Sequence, residues 1–74
     1  KEAKVYQIIG DLTGLAPDNI EPWSNLKDDL DMDELDLVEM AMCLEEEFDT
    51  DIPEEKLNEF RTVQDVVDFI EDLA

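Results

Sequence analysis

The sequence predicts an all-α fold, a four-helix bundle of three main helices and one short one with a long first loop. Three observations carry that prediction. Apolar residues recur at spacings of three and four along separate segments, while proline, glycine and capping residues fall between those segments. No run alternates with the period of two that a half-buried strand requires. With 74 residues there is chain for one core only, so residues 1–74 read as a single domain. A hydrophobic fraction of 43% at helical spacing argues for folding, against 23 acids and 5 bases that alone would suit a disordered chain.

The first helix is written in KEAKVYQIIGDLTG, where Val5, Ile8, Ile9 and Leu12 share one face and Gly14 suits a C-cap. Residues 15–32 then lose the period. Pro17, Pro22, Asp18, Asn19 and Asn25 make them a long connection, and a loop of this length needs anchors of its own. Ile20, Trp23, Leu26 and Leu30 are the candidates, with Trp23 readable either as an anchor or as an exposed contact.

Asp33 is an N-cap for the second helix, because its carboxylate can accept backbone N–H groups, and Glu34 and Asp36 add charge that the helix dipole favours. The helix runs to about residue 48. Leu37, Ala41, Leu44 and Phe48 recur at four, three and four, and Val38 and Met42 are expected to widen that buried stripe. Cys43, in mid-helix, reads as a small packing residue. Pro53 opens a short helix over residues 54–59, with Leu57 and Phe60 turned inward. Thr62 caps the last helix, in which Val63, Val66, Val67, Ile70 and Leu73 keep the spacing and Phe69 flanks them.

Charge narrows the function. At a net charge of −18 the chain lacks the Lys and Arg that neutralise phosphates, which excludes the usual route to nucleic acid, and an anionic membrane surface would repel it. It contains neither an apolar run of spanning length nor a signal-peptide pattern, so no membrane insertion is expected. The field favours steered encounter with basic surfaces on other proteins. A single cysteine forms no internal disulfide, which fits a reducing, cytoplasmic setting and a monomer.

Between residues 28 and 51 there are twelve acids and no base. Asp29, Asp31 and Asp33 match the first, third and fifth positions of an EF-hand loop, but Glu34 stands where that loop needs Gly and Met40 where it needs a bidentate Glu. The run is thus a solvated face, a docking surface or a loose divalent site, and no specific metal ligand set is assigned. There is no His, no Gly-rich phosphate loop and no Ser-His or Cys-His set, so the chain does not read as an enzyme.

LEEEFDTDIPEEKL, the Thr62-Val63-Gln64 start of the last helix, and GDLTGL together resemble the bacterial fatty-acid type of the acyl carrier protein family. The likeness covers nearly the whole chain. Asp33-Glu34-Leu35-Asp36 lines up without a gap on that family's Asp-Ser-Leu-Asp motif, whose serine takes a 4′-phosphopantetheine arm from coenzyme A. Glu34 occupies the serine's place. The arm needs a hydroxyl to form a stable phosphodiester, whereas a carboxylate would give a labile mixed anhydride, so Glu34 is expected to be unmodified and no cofactor is expected on the chain. Its plain structural role is an acid in the first turn of a helix, worth ~0.3–1 kcal/mol against the dipole. The only serine, Ser24, lies in the loop.

The resemblance also implies a docking face at Asp33, Asp36, Glu39, Glu45 and Glu46, directed at basic patches on the enzymes of acyl pathways. It places a candidate acyl cavity at Val5, Leu26, Leu30, Met42, Leu44, Phe48, Ile52, Leu57, Phe60 and Phe69. Ordinary core packing accounts for those apolar positions equally well. Asp31 stands where the family usually has Gly, and Met32 and Leu37 are bulkier than common choices. The leading expectation is an acyl-carrier-like domain that docks on fatty-acid or polyketide-type enzymes without itself bearing the arm. An ordinary carrier whose attachment serine has been substituted is the alternative, and an acidic divalent-cation-binding protein is the third reading.

Overall fold

The computed structural model describes residues 2–73. Helix α1 spans Glu2–Thr13 and buries Val5, Ile9 and Gly10. It stops where the sequence says it should: Gly14 adopts φ +79°, a left-handed conformation that costs a residue without Cβ little, and its N–H reaches the Gly10 carbonyl at 2.8 Å. Gly10 serves a different purpose, since a Cβ there would lie 2.7 Å from the Leu15 carbonyl oxygen. The chain leaving α1 folds back that closely.

Residues 15–32 are ordered by local bonds and four buried anchors. A 3₁₀ turn at Pro17–Asn19 delivers Ile20 to the core. Asn25 Oδ1 accepts the Lys27 and Asp28 N–H groups at 3.0 and 2.9 Å, and Asp29 Oδ2 accepts the Asn25 N–H at 2.7 Å. These side chains supply the backbone partners that no helix provides there. The loop is fastened to the far end of the chain by an isolated antiparallel bridge between Asn25 and Thr62. There Leu26 N–H donates to the Arg61 carbonyl at 2.8 Å, and Val63 N–H to the Ser24 carbonyl at 3.1 Å. The anchors are Ile20, Leu26, Leu30 and Met32. Trp23, readable as an anchor or as an exposed contact, is 72% exposed, and Met32 takes the fourth place.

Helix α2 spans Glu34–Phe48. Asp33 caps it as expected: its Oδ1 accepts the Asp36 N–H at 2.8 Å while Asp36 Oδ2 accepts the Asp33 N–H at 3.3 Å, closing a capping box. The buried stripe is Leu37, Met40, Ala41 and Leu44, with Phe48 half-buried below. Val38 and Met42 depart from expectation, at 41% and 61% exposed. At 3.6 residues per turn Met42 points about 140° away from Leu37, whereas Met40 lies only about 60° away on the other flank. The stripe widens toward Met40 instead. Cys43 is likewise exposed and not a packing residue.

The second helix ends on Asp49 in a left-handed conformation, φ 51°. Helix α3, Glu54–Glu59, follows Pro53 and buries Leu57. Helix α4, Val63–Glu71, is capped by Thr62 in a second capping box with Asp65 and buries Val63, Val66, Val67 and Ile70. Helix α1 packs on α2 and α4, and α3 leans on α2, so the apolar faces meet in one core with the loop anchors. Among the described residues no strand forms, and the architecture is the all-α bundle that the sequence predicts.

Candidate functional site

The register of α2 decides what the molecule presents. Turning Met40 inward leaves Leu35, Val38 and Met42 outside, and their spacing of three and four places them on one face. Leu35 and Met42 are 64% and 61% exposed, large values for apolar side chains grouped on one helix. Glu39 and Glu46, both exposed, lie on the same face by helical phase. The result is an apolar stripe set among carboxylates. Periodicity pointed to this helix but assigned two of the three stripe residues to the core.

The expected docking acids divide by what they are bonded to. Asp33 and Asp36 close the capping box, and Glu45, half-buried, accepts the Ile52 N–H at 2.7 Å through Oε2. Glu45 therefore ties the α2–α3 connection to α2 as well as carrying charge. Among the described residues Glu39 and Glu46 hold no such structural bond. Glu47, which sequence reasoning left out, faces Lys4 at 3.8 Å.

Glu34 is exposed in the first turn of α2, beside a cleft of about 200 Å³ that it lines with Lys27, Leu37, Val38, Glu54, Leu57 and Asn58. The cleft opens between α2 and α3. Of the residues named for an acyl cavity, Leu57 alone reaches it. Val5, Leu26, Leu30, Leu44, Ile52 and Phe60 join Leu57 in the packed core, and Phe48 and Phe69 are half-buried against it. Phe69 meets Phe60 edge-to-face at 5.6 Å and carries the Lys56 ammonium 5.6 Å from its ring centre. Met42 does not belong to that set, because it faces solvent.

A phosphodiester-linked group needs a hydroxyl, and the chain's hydroxyls lie elsewhere. Ser24 is buried in the loop, where its Oγ accepts the Glu21 N–H at 3.2 Å. Thr62 Oγ1 caps α4, and Thr13 Oγ1 donates to the Ile9 carbonyl at 2.9 Å. At the first turn of α2 stand carboxylates and Leu35. Among the described residues no three potential metal ligands converge closely enough to hold an ion. No helix there is long and apolar enough to cross a membrane.

Tyr6, half-buried beside the loop, has its pKa pushed above the usual 10.0, first by burial and then by the charges of Glu2 and Glu21.

The fold and the site define a small acidic helical bundle whose second helix presents a capped, exposed, partly apolar face. The comparisons with known proteins make that class specific. The family described as the phosphopantetheine attachment site matches residues 3–70. The acyl carrier protein of Thermosynechococcus vestitus is 45% identical over 67 residues, covering 90% of this chain and 83% of that one. That of Bdellovibrio bacteriovorus is 44% identical over 68 residues, covering 92% and 87%. In three dimensions the chain resembles the apo doublet acyl carrier protein from prodigiosin biosynthesis, with a TM-score of 0.80 and 26% identity. The match covers 95% of this chain and 34% of that one, so the present chain spans about a third of the doublet's length. The chain belongs to the acyl carrier protein family. Its members are carriers rather than enzymes, the family's prosthetic group is 4′-phosphopantetheine, and they work with the enzymes of acyl pathways.

Proposed function

We propose that this domain docks through α2 on basic surfaces of fatty-acid or polyketide-type enzymes, acting as a cytoplasmic monomer, and is not itself phosphopantetheinylated. The observation that carries the docking half is the exposed stripe Leu35, Val38 and Met42 among Glu39 and Glu46. Apolar area supplies affinity at the centre of an interface, and the surrounding carboxylates steer the encounter and reject acidic partners. Its complement is an apolar hollow rimmed by Lys and Arg. The unmodified half rests on Glu34, which aligns with the serine of the family motif and offers no hydroxyl.

Incubation with coenzyme A and a phosphopantetheinyl transferase, followed by intact-mass measurement, should leave the mass unchanged. A quantitative arm-sized gain would overturn the proposal. A second reading, an ordinary carrier whose serine has been substituted, is favoured by the 45% identity to a named acyl carrier protein over most of both chains. Glu34→Ser separates the two. Ready modification of that variant identifies a competent carrier scaffold, while a variant that stays unmodified has drifted toward docking alone.

A further inference from the structure

Four of the five basic residues are described, and they sort into two kinds. Lys4 pairs with Glu47 at 3.8 Å and Lys56 with Glu59 at 3.5 Å. Lys27 and Arg61 have no acid at ion-pair distance among the described residues, in a chain that offers 23 acids. Both line the same cleft of about 280 Å³, together with Asn25, Asp28, Asn58 and Phe60. Two like charges gathered at one opening repel each other, and Asp28, the one carboxylate in the lining, offsets only one of them.

The backbone fixes the arrangement. The Asn25–Thr62 bridge and the Leu26–Arg61 hydrogen bond at 2.8 Å hold the two segments side by side, so Lys27 and Arg61 project from a braced frame. Asn25 spends its Oδ1 on the Lys27 and Asp28 N–H groups, which leaves its amide NH₂ to donate outward. The Asn58 amide has no hydrogen-bond partner among the described residues. The cleft thus gathers a guanidinium fork, an ammonium and two amides against a single carboxylate, Asp28, with Phe60 as its apolar wall.

We propose that this cleft binds a phosphoryl oxyanion, either free phosphate or the phosphate of an ester. Two cations match a phosphate that carries a charge of about −1.5 to −2 near neutral pH, and its non-bridging oxygens match the spread of donors. Arg61 takes two oxygens through its planar fork, Lys27 acts as a point charge, and the amides complete the shell. Asp28 weakens the site by repulsion. Lys27 and Asn58 also line the adjoining cleft beside Glu34 and Val38, and the proposal does not require Glu34 to be modified.

The test is an ¹⁵N NMR titration of the whole chain with sodium phosphate and, separately, with glycerol phosphate, sodium chloride holding the ionic strength constant. Saturable shifts should concentrate at residues 25–28 and 58–62 and on the two asparagine side-chain amides. Arg61→Gln should weaken binding about tenfold, the loss expected for a charged hydrogen bond, and Lys27→Gln should weaken it too. Asp28→Asn should tighten it. Both cationic side chains are exposed, so these variants should fold, and unchanged shifts elsewhere in the spectrum check that. Tighter binding of the ester identifies phosphate carried on a larger molecule, and tighter inorganic phosphate identifies the free ion. Shifts no larger than those of matched chloride, or an Arg61→Gln variant that saturates at the same concentration, would sink the proposal.

Discussion

Asp31 holds φ 57°, a left-handed conformation that disfavours residues with a Cβ, and Asp31→Gly should therefore stabilise the fold. The backbone has little room to relax there, because its neighbours Leu30 and Met32 are both buried anchors. A left-handed L-residue costs roughly 1–2 kcal/mol, with Asp at the lower end, while introducing Gly raises unfolded-state entropy by about 0.4–1 kcal/mol. The difference leaves about 0.5 kcal/mol in favour of Gly, and loss of one charge from the acidic run adds to it at low salt. For a domain of this size each kcal/mol moves Tm by about 4–8 °C, so a rise of about 2–4 °C is expected before the charge contribution. Thermal unfolding followed by circular dichroism at low and high salt measures it, with Asp31→Asn as the control that removes the charge but keeps the Cβ. An Asp31→Gly Tm at or below that of the parent would refute the reasoning, and so would an Asn variant that recovers the whole gain.

Three further outcomes are expected. Met40→Ala should cost about 2–5 kcal/mol, because Met40 is wholly buried, while Met42→Ala should stay within about 0.5 kcal/mol; urea unfolding that reverses this order would contradict the register of α2. Gly10→Ala should destabilise by about 1–2 kcal/mol, since a Cβ 2.7 Å from the Leu15 carbonyl forces a backbone shift that outweighs the gain in helix propensity; a raised Tm would count against that close approach. Tyr6 ionises at higher pH folded than unfolded, so the unfolded chain releases its proton first. Its contribution is fully present below pH about 10 and is lost as pH rises through the folded value, so the parent should lose stability there faster than Tyr6→Phe. Parallel alkaline unfolding curves for the two proteins would contradict this.

Helix ends and their caps were the legible part of the fold. Asp33, Thr62 and Gly14 act within a few residues of themselves, through a capping box or a left-handed turn, so their chemistry can be read locally. The orientation of α2 could not be read that way. Leu35, Leu37, Val38, Met40, Ala41, Met42 and Leu44 distribute apolar side chains around most of the helix. The placement of α1, α3 and the loop anchors determines which arc is covered. The loop posed the same difficulty without any period to help. Trp23 has more apolar surface than Met32, yet Met32 is buried, because its N–H bonds the Leu26 carbonyl at 3.0 Å and draws that segment inward. For the candidate site, the acids and the Glu34 position were readable from the motif. The apolar stripe between the acids emerged only once the register was known.

The bridge between Asn25 and Thr62 sets the order in which the molecule can be made. It joins the loop after α1 to the cap of α4, so Leu26 gains its partner only once the chain through Arg61 has been made. During synthesis α1 and α2 can form turns early, but the loop between them cannot lock. Closing that long-range contact must overcome the entropy of the entire intervening segment, and the reward comes at once as the anchors and the α4 face enter the core. Packing of the bundle should therefore wait until α4 has been made. Until then, the apolar face of α2 destined for the interior stands open to the surroundings, along with the one destined for the surface.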